Sequence, residues 1–172
     1  MTEPTNRPPA APVGSALLAA AAPPAFLFAI LVGAAALAGA EGTSRFMVEG
    51  GPASYLVLLA AMAAAGGCAL ALYSIARGGD LPAAVPAFAC GLPWMAGAVG
   101  TLWETRRMAE ALAMVNPSDK VVITAVGLSE SLSTRLLGAW SAGALLASVA
   151  VGLALAAVAR PSPSGSRLSI PG

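Results

Sequence analysis

Four long stretches of this chain contain no charged residue, and they limit the possible folds more than any other feature. They cover positions 8–40 (33 residues), 50–76 (27), 81–103 (23) and 136–159 (24). A membrane-spanning helix needs about 20 mainly apolar residues at about 1.5 Å each, and every stretch exceeds that length. Their apolar residues run continuously instead of alternating, which argues against the strands of a transmembrane barrel. The sequence therefore predicts an all-α integral membrane bundle of four transmembrane helices, at about 17–40, 53–76, 82–104 and 121–159.

The composition agrees with a protein that is solvated by lipid. Hydrophobic residues make up 58% of the chain and charged residues 10%, against about 25% charged residues in a soluble domain. The net charge of +1 is too balanced for a nucleic-acid-binding surface. The chain has no histidine, and two cysteines cannot form a disulfide framework or a thiolate metal site. We expect no enzymatic activity, no cofactor, no metal and no nucleic-acid partner.

The two ends of the chain are rich in proline, serine and glycine, which predicts disordered segments at 1–14 and 161–172 around a transmembrane domain at 15–160. Residues 38–40 (AGA) match an A-x-A cleavage pattern after an apolar run. The region before that run has no net positive charge, and the run is long for a signal peptide. We therefore favour a retained first helix over a cleaved signal.

The third connection, residues 104–135, differs from the others because it carries eight of the seventeen charged residues. Within it, residues 116–119 (NPSD) are typical of a helix start, with Asn as N-cap and Pro in the first turn. We expect the third helix to continue through Met114, the chain to break at Asn116, and the last helix to start at Pro117. These two helices would form an extended hairpin beyond the lipid. The connection at 41–54 is predicted to be turn-rich, and 77–80 to be a tight turn.

Pairs of small residues one helical turn apart are typical of closely packed membrane helices. The chain contains three such pairs: Ala96 and Gly100, Ala139 and Gly143, Ser148 and Gly152. An Ala- and Gly-rich chain also produces this spacing by chance, and the sequence leaves both interpretations open.

Glu130 is the most informative ionisable residue. It lies within the last predicted helix among serines and a threonine, and Thr134 shares its face at i+4. A carboxylate near membrane depth usually faces a bundle interior or a hydrated cavity. The alternative is that Glu130 and Arg135 only mark the membrane interface, with Arg135 extending to water. Arg135 lies about 140° around the helix from Glu130, which disfavours an ion pair within the helix.

Two segments resemble signatures of the TolQ/ExbB proteins, which are relatives of the flagellar MotA stator. Residues 97–103 (GAVGTLW) are similar to the G-L-L-G-T-V-W signature of that family's second helix. Residues 127–132 (GLSESL), followed by Gly138, are similar to the G-I-A-E-A-L…G signature that opens its third helix. The resemblance covers about residues 92–159. The chain departs from the pattern at Glu104, where the family usually has Gly, and at Arg135, where it has Thr.

The resemblance implies a proton-channel subunit of the MotA/TolQ/ExbB family in the bacterial inner (cytoplasmic) membrane. Such subunits form a homo-oligomeric, pentameric ring around an ExbD/TolR-like single-span partner and couple proton motive force to that partner. By position, the resemblance makes Thr101 and Glu130 candidates for lining the proton pathway, and Thr134 stands beside the family's other threonine position. A ring would bring its Arg135 side chains together as a positive collar, so we expect little proton leak without an acidic partner. We also expect Glu130 to face an axis shared between subunits.

Two further functions stay open, a non-conducting membrane scaffold of the same fold and an unrelated small four-helix transporter. Orientation is not decided by charge, because four basic residues lie on one side of the predicted bundle and five on the other. Cytoplasmic termini are implied by the resemblance alone.

Overall fold

The computed structural model describes residues 10–160, and within that range the protein is helical and has no strand. Both predicted disordered segments fall mainly outside this range, at 1–9 and 161–172, whereas Val13 and Gly14 already belong to the first helix. The helices are α1 (Val13–Glu49), α2 (Gly51–Ala76), α3 (Ala84–Ala89), α4 (Leu92–Met114) and α5 (Lys120–Ala159).

Four helical segments are long and apolar enough to cross a membrane. They are α1, α2, the α3–α4 segment Ala84–Met114, and α5. The predicted fold class is confirmed: the chain is an all-α helical bundle and a multi-pass membrane protein.

The first helix is longer than predicted and bends near its end. It runs from Val13 to Glu49, not from 17 to 40, and Gly39 interrupts it with φ 70° and ψ 173°. Glycine adopts this conformation without a steric penalty, so the chain changes direction there and resumes a helix. Residues 41–49 were expected in a turn-rich connection. They are helical, and Gly50 alone separates α1 from α2.

The third span is also less regular than the sequence predicted. It breaks at Cys90 and Gly91, because Pro93 has no N–H to donate to the carbonyl of Ala89. Its second part, α4, ends at Met114 as expected. The last helix begins at Lys120 and not at Pro117, and Asn116 accepts a hydrogen bond from the Asp119 N–H (3.0 Å) in a turn that precedes the helix.

The helices α4 and α5 pair antiparallel through glycines. A Cβ atom on Gly138 would lie 2.6 Å from the Pro93 carbonyl oxygen and 3.1 Å from Gly97 Cα. Farther along α5, a Cβ on Gly152 would lie 2.9 Å from the carbonyl oxygen of Ala19 in α1. Two of the three small-residue pairs have their glycine in a tight contact. One ends in Gly152, and the other ends in Gly100, where a Cβ would lie 2.8 Å from Ala53 Cβ. The pair ending in Gly143 has no such contact, since nothing lies within 4 Å of a Cβ there.

The bundle has two chemically different ends. At the Arg160 end, Arg160 Nη2 donates to the Ile75 carbonyl (2.6 Å) and Arg77 Nη1 donates to the Ala11 carbonyl (3.1 Å). At the Glu104 end lie Gly50, Glu104 and Thr134. The 26 residues of α2 connect these ends and span about 39 Å, whereas the hydrocarbon core is about 30 Å thick. From these lengths we expect each end to lie near one face of the hydrocarbon, and the α4–α5 hairpin extends roughly 15–20 Å beyond the Glu104 end.

Candidate functional site

Three segments bring polar groups together at the Glu104 end. Thr134 of α5 is completely buried, and its Oγ1 lies 2.8 Å from Oε1 of Glu104 in α4. The same oxygen lies 3.2 Å from the Gly50 carbonyl oxygen and 3.3 Å from the Glu130 carbonyl oxygen. A carboxyl group and a hydroxyl are thus in direct contact next to two backbone acceptors.

This Glu104–Thr134 pair can be hydrogen-bonded whether or not the carboxyl carries a proton. A threonine hydroxyl has one hydrogen to donate and two lone pairs to accept. When Glu104 is ionised, Thr134 donates to Oε1. When Glu104 is protonated on Oε1, the carboxyl donates to Thr134, which then donates to the Gly50 carbonyl. The geometry therefore accommodates both protonation states without a rearrangement of the helices.

Close packing holds this pair in position. A Cβ on Gly100 would lie 2.8 Å from both Ala53 Cβ and the Thr134 methyl carbon, so only glycine allows α2, α4 and α5 to meet here. One turn away, the Thr101 hydroxyl lies 2.9 Å from the Gly97 carbonyl and 3.3 Å from the Ser131 carbonyl. Thr101 thereby connects α4 to α5 beside the pair.

Glu104 was not predicted as a site residue, because in the sequence it stands out only as a departure from the TolQ/ExbB signature. A signal was present, because Gly97, Gly100 and Glu104 follow one another at intervals of three and four residues. Residues at this spacing share one helix face, here the face that packs against α5. Glu104 Oε2 is buried and has no hydrogen-bond partner among residues 10–160. A buried polar atom left in this way calls for a functional explanation.

Glu130 lies on a cleft of about 950 Å³ between α4, α5 and the first turns of α2. The cleft walls are mainly apolar, and Glu104, Arg107 and Glu130 are the charged residues that line it. The apolar walls are formed chiefly by Leu56, Val99, Trp103, Met108, Val122 and Val126. The protein thus places a carboxylate beside a space that is large enough for a ligand or a partner side-chain cluster.

The four predicted site residues differ in how far they are buried and in what surrounds them. Thr134 is buried within one chain, and Thr101 is half-buried where α4 meets α5. Glu130 lines the cleft. Arg135 is exposed and forms no ion pair within residues 10–160. Thr134 is inside the bundle, and its hydrogen-bond partner Glu104 lines the same cleft as Glu130.

The two cysteines lie away from this site, in the apolar core. Their sulfur atoms are 3.8 Å apart, and each thiol donates to the Pro86 carbonyl. Both are free thiols among buried apolar residues, which agrees with a packing role.

No family model, no curated protein and no solved structure matches this chain. The resemblance to TolQ/ExbB proteins accordingly rests on the two signature segments.

Proposed function

We propose that this protein is a proton-conducting subunit of the TolQ/ExbB type that couples proton motive force to a partner protein. The observation that carries the proposal is the hydrogen-bonded pair of half-buried Glu104 and buried Thr134 (2.8 Å) at the membrane edge. An ionisable group in such a place is costly, and in membrane proteins it usually belongs to an ion or proton pathway.

The second support is the position of Glu130. Its carboxylate borders a cleft, while its backbone carbonyl lies 3.3 Å from the Thr134 hydroxyl. Two half-buried carboxyl groups on adjacent helices, Glu104 of α4 and Glu130 of α5, thus line the same cleft. Such a series of exchangeable protons is what a proton relay needs, and it requires no metal and no histidine.

The partner and the location follow from the resemblance. The subunit would form a homo-oligomeric ring in the bacterial inner membrane around an ExbD/TolR-like single-span protein. Its exposed Arg135 stays protonated at physiological pH. A ring of these side chains repels cations unless an acidic partner neutralises them. We therefore propose that conduction requires the acidic membrane helix of the partner.

Proton flux into liposomes tests this proposal. The chain is reconstituted with and without a single-span helix that carries a membrane Asp, and flux is followed with an internal pH dye after a potential is imposed. We expect flux only with the helix, and its loss in Glu104→Gln. The matched control is Glu110→Gln, because Glu110 lies on the same helix but is exposed and paired with Arg106.

Equal flux in wild type and Glu104→Gln would contradict the proposed pathway. The variant Arg135→Thr tests the positive collar separately, and flux without the partner helix should then rise. High flux from the wild-type chain alone, unchanged by Arg135→Thr, would refute the collar. Assembled protein that conducts nothing with the partner helix would support a non-conducting scaffold instead.

The cleft favours one second candidate, a small four-helix transporter. Its volume of about 950 Å³ lies within the roughly 300–1,000 Å³ of ligand sites. Trp103 and two carboxylates are suited to a lipophilic cation. Binding of tetraphenylphosphonium that is lost in Glu130→Gln, together with an absence of flux in the ring assay, would favour this function.

A further inference from the structure

The projecting part of the α4–α5 hairpin exposes apolar side chains where no lipid tails can cover them. Val121 and Val122 are 77% and 63% exposed, and Met114 is 82% exposed. These residues lie in the part of the hairpin that extends beyond the hydrocarbon. Exposed apolar surface outside the membrane marks a site of protein contact.

This apolar surface lies on two opposite sides of α5. One side is the cleft described above, which includes Glu130. The other side, which we call the α5 stripe, is formed by Val121, Ala125, Leu128 and Leu132. The spacing of four, three and four residues is that of a seam for another helix. At 100° per residue the stripe is turned about 140–180° away from Glu130, so it cannot reach the cleft of its own chain.

The bilayer limits what can cover each surface. Copies of one chain in a membrane share their orientation and their height, and they differ by a rotation about the membrane normal. A rotation of 180° brings the same face of both copies together, whereas any other rotation brings two different faces together head to tail, and such a contact closes into a ring when the rotation allows it. The stripe and the cleft lie at the same height in the membrane, because different residues of the same α5 segment, 121–132, form part of each.

The charges beside the two surfaces indicate that a second copy of this chain fills the cleft. Arg135 lies beside the stripe and forms no ion pair within residues 10–160. Glu130 lines the cleft and likewise lacks an ion-pair partner there. Along α5, Arg135 is about 7.5 Å closer to the hydrocarbon than Glu130. Its long side chain extends toward water, and hence toward the level of Glu130.

We propose that the α5 stripe of one copy packs into the cleft of the next, with Arg135 paired to the Glu130 of its neighbour. The inference goes beyond the proposed function and does not depend on conduction. It assigns one role to both surfaces and is an alternative to the positive collar. Arg135 paired with the Glu130 of its neighbour no longer repels cations, so the requirement for an acidic partner helix holds only where this contact is absent.

Cysteine cross-linking between differently tagged copies tests the contact. Leu128→Cys places a thiol on the stripe and Val126→Cys places one in the cleft, about 3 Å apart in height along α5, both in a chain with Cys68→Ala and Cys90→Ala. We expect a disulfide-linked dimer when the two variants are mixed in lipid nanodiscs, and none when either is present alone. The matched control pairs Val126→Cys with Val151→Cys, which is equally exposed but roughly 37 Å away along α5.

Charge exchange gives a second measurement that does not need added thiols. Arg135→Glu or Glu130→Arg should each weaken self-association about tenfold, and the double variant should restore it. A double variant as weak as the single ones would overturn the ion pair. Dimers from Leu128→Cys alone would show stripe-to-stripe packing, and no cross-link in the mixture would show that a lipid or another protein fills the cleft. Either result would overturn the proposal.

Failure of this contact and failure of the proposed function are distinguishable. Glu104→Gln should cross-link as the parent does, even though proton flux is lost.

Discussion

The residues buried at the two ends of this bundle differ in their chemistry, and the difference indicates which end has the function. At the Arg160 end the buried residues are small and apolar: Ala11, Ala16, Ala19, Ala76 and Ala156. At that end Arg77 and Arg160 donate hydrogen bonds to backbone carbonyls. At the Glu104 end the buried groups include a carboxyl and several hydroxyls, and a cleft opens beside them. Each end has a buried polar atom without a hydrogen-bond partner among residues 10–160, Glu104 Oε2 at one end and Arg160 Nε at the other. The Glu104 end combines a carboxyl group with several hydroxyls and the cleft, and this combination points to chemistry there.

The largest stability effect is expected where the helices that carry the site are closest. Gly138→Ala places a methyl group 2.6 Å from the Pro93 carbonyl and 3.1 Å from Gly97 Cα, and neither backbone atom can move aside easily. We expect the free energy of unfolding to fall by about 2–3 kcal/mol. The measurement is the unfolding midpoint in mixed SDS and dodecylmaltoside micelles.

The control for this glycine is Gly143→Ala on the same helix, where nothing lies within 4 Å of the new methyl group. This variant should keep or slightly raise stability, because alanine favours a helix over glycine by about 1 kcal/mol. If both glycines tolerated alanine equally, the close α4–α5 contact would be wrong.

The next effect concerns the hydroxyl of Thr134. Thr134→Val keeps the shape but leaves Glu104 Oε1 without its hydrogen-bond partner, which should cost about 2 kcal/mol. Thr134→Ser keeps the hydroxyl and removes only the methyl group, so it should lose less stability than Thr134→Val. The same micelle unfolding titration measures both. A serine variant less stable than the valine variant would show that packing, and not hydrogen bonding, decides the role of Thr134.

The smallest effect is expected at the other end. Arg160→Ala removes a hydrogen bond to the Ile75 carbonyl (2.6 Å) and should reduce stability by about 1 kcal/mol. The comparison is Arg106→Ala, which breaks only an exposed pair with Glu110 and should change stability by less than about 0.5 kcal/mol. Neither should alter proton flux. A loss of flux in Arg160→Ala would remove the functional contrast between the two ends.

The number and type of the spans were predictable because charged residues are excluded from hydrocarbon, so the charge-free stretches marked the four helices. The bend at Gly39 and the break before Pro93 were not predictable from the sequence, because they depend on how neighbouring segments pack. Glu104 was missed for a similar reason. Its position at the end of a charge-free stretch is typical of an interface residue, and only the α4–α5 contact brings it to Thr134. The cleft also follows from the helix arrangement and has no local sequence signal.

The central claim is that the Glu104 carboxyl exchanges a proton while hydrogen-bonded to Thr134. Isotope-edited infrared difference spectroscopy across a pH titration in lipid measures this directly. The account predicts a carboxylic-acid band that titrates, disappears in Glu104→Gln, shifts in frequency in Thr134→Val and persists in Glu110→Gln. A titrating band that survives Glu104→Gln, or that is unchanged in Thr134→Val, would contradict it.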